Sequence, residues 1–249
     1  MRFFASAQDD NERLVNIRSI MRIFAIADLH LDFKKEKPMD IFGDNWENHE
    51  ENILTNWENT VDKDDLVLVP GDISWALKLN DALEDLLRID GLPGWKIIGK
   101  GNHDYWWSTA SKLEGLGLKT IKFLKNNFFE CDGVSVCGTR GWDTMEENSD
   151  EVNNERIFLR ELNRLKISLE AAKKAPGKKI IMLHYPPFNR DGSPNEFFSL
   201  MRDYHADICI YGHLHGEEGH KNIKEGLIDN IMVHCVSSDY LNFKLKRIM

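Results

Sequence analysis

The sequence predicts an α/β fold in which strands buried on both faces alternate with helices. Short apolar runs rich in β-branched residues recur along the chain, and amphipathic helical patterns separate several of them. Polar motifs directly follow most of these runs, which places chemically reactive groups at one edge of the sheet. The predicted strands are residues 23–27, 66–69, 96–98, 134–137, 180–183, 208–211 and 231–233.

Three helical patterns lie between the predicted strands. The leucines of residues 79–87 share one helix face, and Gly91 and Pro93 end this pattern. Residues 158–169 carry apolar side chains at i, i+4, i+7 and i+11 with charged residues opposite, and residues 46–57 carry a less regular pattern. The predicted apolar positions are Leu79, Leu83, Leu86 and Leu87; Phe158, Leu162, Leu165 and Leu169; and Trp46, Ile53, Leu54 and Trp57.

Residues 21–249 are predicted to form one domain, because no repeat, low-complexity tract or linker interrupts the pattern. Met21-Arg22 repeats the opening Met1-Arg2 pair and directly precedes the first predicted strand. Residues 1–20 are therefore predicted to be an N-terminal extension outside the core fold, with Met21 as an alternative start.

The composition is that of an acidic globular protein. The 249 residues include 32 Lys+Arg and 41 Asp+Glu, for a formal net charge of −9, and 42% are hydrophobic. No apolar run reaches the ~18 residues of a membrane span, and the acidic balance argues against a nucleic-acid partner held through phosphate contacts. The chain lacks a basic-then-apolar leader, so cytoplasmic residence is expected. Four cysteines without a Cys-x-x-Cys pair are expected to be reduced core thiols: Cys131, Cys137, Cys209 and Cys235.

Five predicted strands are followed by side chains that can bind a metal. Five of the nine histidines lie in these segments. Because ligands bind at the carboxyl ends of strands in open α/β sheets, we expect these side chains to meet. The segments are Asp28-Leu29-His30, Gly71-Asp72, Gly101-Asn102-His103-Asp104, His184-Tyr185-Pro186-Pro187 and Gly212-His213-Leu214-His215.

The donor types indicate which metals would bind. The motifs offer two Asp, four His and one Asn as ligands and no thiolate. Such donors suit Mn²⁺, Fe²⁺, Zn²⁺ or Co²⁺, whereas an all-oxygen Mg²⁺ or Ca²⁺ cage and a Cys-rich zinc site do not fit. Seven ligands exceed what one ion with an open position takes. They suit two divalent ions about 3.5–4 Å apart that share a carboxylate.

The ordered set of motifs resembles the calcineurin-like metallophosphoesterase superfamily, including its bacterial-type predicted phosphohydrolases. The match runs from Asp28 to His215. It implies a two-sheet β-sandwich flanked by helices, with a dinuclear metal centre at the strand ends. Carried over by motif, one ion would be held by Asp28, His30, Asp72 and His215, and the other by Asp72 as the bridge, Asn102, His184 and His213.

The resemblance implies a metal-dependent phosphoric ester hydrolase acting on a small phosphodiester or phosphomonoester. A hydroxide that bridges the ions would attack phosphorus, while His103 assists the leaving group and Asp104 orients His103 and raises its pKa. Residues 101–104 are similar to the phosphodiesterase, nucleotidase and nuclease branches, and residues 71–75 depart from the protein phosphatase pattern. Two alternatives stay open: a nuclease of the same superfamily and a non-catalytic scaffold.

The substrate side of the site is less determined by the sequence. Arg140, in the glycine-rich residues 138–142, is predicted either to clamp a substrate phosphate or to be a surface residue. Three tryptophans near the motifs would either stack on a base or aryl group or belong to the core: Trp75, Trp106 and Trp107. Four histidines fit no motif and are predicted to be structural or surface residues: His49, His205, His220 and His234. The predicted partner is a small phosphorylated substrate, and the oligomeric state is left open.

Overall fold

Two β-sheets face each other in the computed structural model, which describes residues 21–143 and 151–249. In one sheet the strand order is β11-β1-β2-β3-β4, and in the other it is β5-β6-β7-β8-β10-β9. The strands of the described chain are β1 (Ile23–Ala25), β2 (Leu66–Val69), β3 (Trp95–Ile98), β4 (Ile121–Phe123), β5 (Phe128–Cys131), β6 (Val134–Thr139), β7 (Lys178–Leu183), β8 (Ile208–Tyr211), β9 (Gly226–Ile228), β10 (Ile231–Cys235) and β11 (Lys246–Arg247).

Both sheets are mixed, with parallel centres and antiparallel edge strands. Strands β1 to β4 run parallel, and β11 joins β1 antiparallel. Strands β6, β7, β8 and β10 run parallel, while β5 and β9 pair antiparallel at the two edges. The carboxyl ends of the central strands therefore lie at one edge of each sheet, where the polar motifs follow them.

Helices cover the outer faces of both sheets. They are α1 (His49–Thr60), α2 (Leu79–Gly91), α3 (Ala110–Glu114), α4 (Glu151–Ala171), α5 (Glu196–Asp203) and α6 (Gly216–Lys221), with 3-10 turns at Asp40–Phe42 and Asp44–Trp46. Trp57 of α1 and Leu86 of α2 pack with Val67 on the first sheet. Leu165 of α4 and Phe198 of α5 pack on the second. The order of layers is helix, sheet, sheet, helix.

The strand pleat divides the core between these layers. Successive strand residues point to opposite faces, so a strand buried on both faces feeds two cores. In β2, Val67 packs under the helices, whereas Leu66 and Leu68 point into the space between the sheets. There they meet Ile180 and Ile208 of the second sheet. This alternation explains why the strands read as continuous apolar runs.

The structure confirms the predicted α/β architecture and the two-sheet sandwich. All seven predicted strands and all three predicted helices are present, although β1 ends at Ala25. Within α2 the prediction that Leu87 belongs to the apolar face is wrong, because its side chain is 52% exposed. Ala82 and Ile89 lie on the buried face instead. The predicted extension, residues 1–20, lies outside the described residues.

Four short strands escaped prediction, namely β4, β5, β9 and β11. Each lies at or next to a sheet edge, where burial on one side only leaves a mixed polar and apolar sequence. The four cysteines are free and buried, as predicted. No helix in the described part of the chain is long and apolar enough to cross a bilayer.

Candidate metal centre

Three adjacent parallel strands of each sheet end at the candidate site. Asp28 and His30 follow β1, Asp72 follows β2, and Asn102 follows β3. In the second sheet the corresponding strands are β7, β8 and β10. They are followed by His184, by His213 and His215, and by Asp239. The structure thus brings together all seven side chains that the sequence predicts as ligands.

The backbone at these positions is strained. Asp28, His30, Asp72 and His213 all have positive φ angles, of 61°, 45°, 53° and 73°. Non-glycine residues rarely occupy this left-handed region, and such residues cluster at functional sites, where the surrounding structure holds them. The turns after β1, β2 and β8 therefore aim their side chains at the site at a conformational cost.

Two glycines let the loops approach each other closely. A Cβ added at Gly101 would overlap Oδ1 of Asp72, and one added at Gly212 would lie 2.7 Å from Oδ2 of Asp28. Both approaches are far closer than a normal contact, so a larger residue would displace a predicted ligand. The glycines that precede Asn102 and His213 are thus required by the close approach of the backbone.

The first donor group consists of Asp28, His30, Asp72 and His215. One ligand atom from each of these four side chains lies within 4.8 Å of all the others. Nε2 of His30 is 3.5 Å from Nε2 of His215, which in turn is 3.5 Å from Oδ1 of Asp28. These side chains are buried apart from a partly exposed His215.

The second donor group consists of Asp72, Asn102, His184 and His213. Oδ1 of Asn102 lies 2.6 Å from Nε2 of His184 and 3.0 Å from Nδ1 of His213. Oδ2 of Asp72 is 3.5 Å from Nε2 of His184 and 3.8 Å from Nε2 of His30. Asp72 therefore belongs to both groups and lies between them.

Hydrogen bonds behind two imidazoles set which nitrogen faces the site. Nδ1 of His184 donates to the carbonyl of Pro70 at 3.0 Å, and Nδ1 of His215 donates to Asp239 at 3.1 Å. When these rings are neutral, as a metal ligand must be, the bonds keep the proton on Nδ1 and leave a lone pair on Nε2. Both lone pairs face oxygen atoms that also accept, so a cation between them fits the arrangement.

The charges in the site are strongly coupled. Burial opposes ionisation of Asp28, but His215 and the other imidazoles around it hold the pKa of this carboxyl well below its usual range. Burial and the negative charge of Asp28 raise the pKa of Asp72 to about 8. For His215, burial is outweighed by Asp28 and Asp239, which raise its pKa to about 10. A divalent cation would relieve the repulsion between these two neighbouring acidic side chains and so favour ionisation of both.

Asp104 has a different role from the predicted one. It is fully buried, and its oxygens accept from the backbone N–H groups of Gly101 at 2.7 Å, Asp72 at 2.9 Å and Ile73 at 2.9 Å, as well as from Nε1 of Trp106 at 3.0 Å. The prediction that Asp104 orients His103 is wrong, because its carboxylate faces these donors. It joins the loop after β2 to the loop after β3.

His103 lies half-buried at the edge of both donor groups. Its backbone N–H donates to Oδ1 of Asp72 at 2.8 Å, and its ring lies 4.6 Å from that of Trp75 and 5.6 Å from that of His30, between centroids. Burial and the neighbouring imidazoles lower the pKa of His103 to about 4. The predicted rise in this pKa is therefore wrong for the protein without bound ions.

Arg140 is mostly buried, with 14% of its side chain exposed. Its guanidinium lies 3.6 Å from Glu161 and 4.5 Å from the ring centroid of Trp142, which excludes a simple surface role. Its positive charge opposes the rise in the pKa of Asp72. A contact between Arg140 and substrate stays a prediction.

The tryptophans near the motifs are packed against protein. Trp106 is 2% exposed, and Trp107 contacts Phe123. The Trp75 ring stacks on His30 with centroids 4.8 Å apart and also contacts His103. The core alternative is correct for Trp106, and Trp75 supports two histidines of the site.

Sequence reasoning missed Asp239. This buried carboxylate accepts from Nδ1 of His215 and, at 2.8 Å, from the backbone N–H of Gly216, and Nε2 of His220 lies 3.1 Å away. Such a carboxylate behind a ligand histidine fixes the ring and raises its basicity. Asp239 follows β10, so the same strand-end rule that found the other residues could have found it.

The comparisons with known proteins agree with this geometry. A family model described as calcineurin-like phosphoesterase matches residues 21–217. No curated protein matches the sequence significantly. The chain is similar in fold to phosphopantetheinyl hydrolase from Mycobacterium tuberculosis, with a TM-score of 0.56 and 14% identity over 92% of this chain and 95% of that one.

Two further solved structures share the fold. Protein TT1561 of Thermus thermophilus has a TM-score of 0.55 and 17% identity, over 92% of this chain and 98% of that one. A 5′-nucleotidase so designated from Staphylococcus aureus has a TM-score of 0.50 and 14% identity, over 86% of this chain and 48% of that one. At these identities the likeness extends to the fold alone.

Proposed function

This chain belongs to the family of calcineurin-like phosphoesterases, and from that premise we propose that it hydrolyses a small phosphomonoester or phosphodiester with two divalent ions as cofactors. The observation that carries the proposal is the convergence of two donor groups on Asp72. One ion would be held by Asp28, His30, Asp72 and His215, and the other by Asp72, Asn102, His184 and His213. The imidazole and oxygen donors suit Mn²⁺, Fe²⁺, Zn²⁺ or Co²⁺.

Bound divalent ions would supply Lewis acidity toward a phosphoryl oxygen and acidify bound water. The chain itself supplies the placement of the reacting groups. Asp72 and Asn102 come from loops that Asp104 holds together, so their spacing is set before substrate arrives. His215 is fixed from behind by Asp239. Such preorganisation removes the cost of ordering these groups during the reaction.

His103 is proposed to act on the leaving group. Its ring is only half-buried, unlike the deeply buried His184 and His30, so it is open to a bound molecule. Its ring contacts with Trp75 and His30 limit its rotation. From this position an imidazole N–H can donate to the oxygen that departs from phosphorus.

The partner is proposed to be a small phosphorylated molecule in the cytoplasm. The formal charge of −9 disfavours a long polyanion held along a wide surface, because that mode depends on many Lys and Arg contacts. One phosphate reaching a cationic centre does not need such a surface.

The test is hydrolysis of 4-nitrophenyl phosphate and bis(4-nitrophenyl) phosphate by purified protein with added Mn²⁺. We expect release of 4-nitrophenol that a chelator abolishes and Mn²⁺ restores. Asp72→Ala is the matched control, since it removes the residue shared by both donor groups and should lose both metal and turnover. Preference for the bis-ester would assign a phosphodiesterase.

Two outcomes would overturn the proposal. A protein that binds no divalent ion, or hydrolyses neither ester with any of the four metals, would be a scaffold that retains the fold. Strong, salt-sensitive binding to DNA together with its cleavage would assign the nuclease function instead.

A further inference from the structure

Lys37 and His103 both contact the ring of Trp75, and no carboxylate of the described residues pairs with the charge of Lys37. Its Nζ is 4.9 Å from the ring centroid of Trp75, and the same ring contacts His103. In the ion pairs of residues 21–143 and 151–249, Lys34 pairs with Asp81 at 2.8 Å, whereas Lys37 has no such pair.

Two acidic side chains that line the same cavity as Lys37 accept hydrogen bonds from other groups. Asp32 accepts from the backbone N–H of Lys37 and leaves the ammonium group free. Asp85 accepts from the backbone N–H of Phe33 at 3.0 Å and from the hydroxyl of Ser74. Neither of these two carboxylates forms an ion pair with the ammonium group of Lys37.

The backbone that carries Lys37 is held in place by the body of the protein. The N–H of Asp32 donates to Glu50 of α1 at 2.8 Å. Trp75 Nε1 contacts Sδ of the buried Met39 at 3.1 Å. Tethers on both sides of Lys37 keep it over the Trp75 ring, where a cation–π contact orients the ammonium group.

We propose that Lys37 is a specificity-determining residue, which selects phosphoesters whose leaving group carries a second anionic group such as a phosphate or carboxylate. The proposal rests on the proposed function, in which His103 acts on the leaving group. It places Lys37 near the same leaving group. A second anion there would meet a fixed positive charge. Tyr105, which is 61% exposed with its ring 6.3 Å from that of His103, offers an apolar surface for the body of the leaving group.

The test compares two ligands that differ by one carboxylate. Binding of phenylphosphonate and 4-carboxyphenylphosphonate to the Mn²⁺-loaded protein is measured by calorimetry, and hydrolysis of the corresponding phenyl phosphates by release of inorganic phosphate. We expect the carboxylated phosphonate to bind about fivefold more tightly, the size of a partly exposed ion pair. Lys37→Met should abolish this preference, and Lys37→Arg should keep it.

Lys34→Met is the matched control, since it removes a lysine three positions away that pairs with Asp81. It should leave the preference between the two phosphonates unchanged. The ratio of kcat/KM for the two phosphates, taken in each variant relative to the native protein, should follow the binding ratio, because intrinsic reactivity of the leaving groups cancels.

Failure of this proposal and failure of the proposed function give different results. Hydrolysis of both phosphates with equal ratios in the native protein and in Lys37→Met would overturn the role of Lys37 alone. A Lys37-dependent preference in binding without hydrolysis of either phosphate would overturn the proposed function and leave the recognition intact. An equal effect of Lys34→Met would reduce Lys37 to part of a general surface charge.

Discussion

Replacement of Asp104 by asparagine separates a structural role from a catalytic one. One carboxylate oxygen accepts from Gly101 and Asp72, and the other accepts from Ile73 and Trp106. An amide nitrogen in place of either oxygen leaves two buried N–H donors without an acceptor. Each such donor costs about 1–3 kcal/mol. Burial and the neighbouring Asp72 raise the pKa of Asp104 to about 6, so its charge is unfavourable in the folded protein. Asparagine removes this charge, which offsets part of the loss.

The net effect of Asp104→Asn is expected to be about 2–4 kcal/mol, which lowers the urea midpoint by roughly 1 M for a slope of 2–3 kcal/mol/M. The measurement is urea unfolding of the metal-free protein, followed by fluorescence. Trp106→Phe, which removes one donor, is the matched control and should cost less. An Asp104→Asn protein with a native midpoint and a turnover as low as that of His103→Ala would refute the structural role.

Substitutions at three other residues give further tests. His103→Ala should retain its bound metal, measured by elemental analysis, and lose roughly 10²–10⁴ in turnover, since the ring is proposed to act on the leaving group. Asp239→Ala should weaken metal binding about 10–100-fold in a chelator competition, with Asp239→Asn between it and the native protein. Fully buried Lys96 has its pKa lowered by burial to about 8, against about 10.4 in an unfolded chain. Because the unfolded chain then binds more protons at Lys96 between these values, this residue adds stability as the pH rises. From pH 8 to pH 10 the urea midpoint of the native protein should therefore rise relative to that of Lys96→Met, measured under the same conditions.

The central strands were predictable because each is buried on both faces, which leaves a continuous apolar run followed by a polar motif. The edge strands could not be predicted in this way. Strands β9 and β11, for example, have only three and two residues and are partly exposed to solvent. Leu87 shows the limit of helical periodicity. The buried face of α2 is set by what packs on it, and the small Ala82 fits there where a leucine was expected.

Ligand candidates were predictable because metal binding restricts residue type and strand position together. The partners behind them were not predictable from type alone. Asp104 stands next to His103 in the sequence, yet its carboxylate turns toward the backbone of the neighbouring strand's loop. Asp239 lies 24 residues beyond its partner His215, and only the parallel pairing of β8 with β10 brings them together.

The same groups that would bind ions also hold the two sheets together. Oδ2 of Asp28, from the first sheet, accepts from the backbone N–H of His213 in the second at 2.9 Å, and the hydroxyl of Ser238 donates to the carbonyl of Asp28 at 2.7 Å. Nδ1 of His184 donates back across the gap to the carbonyl of Pro70. Each of these bonds uses one polar atom of a residue and leaves another nitrogen or oxygen of that residue facing the site. Because protein contacts already fix the strained turns, the ligand geometry belongs to the fold, and an ion entering the site would meet donors that need little rearrangement.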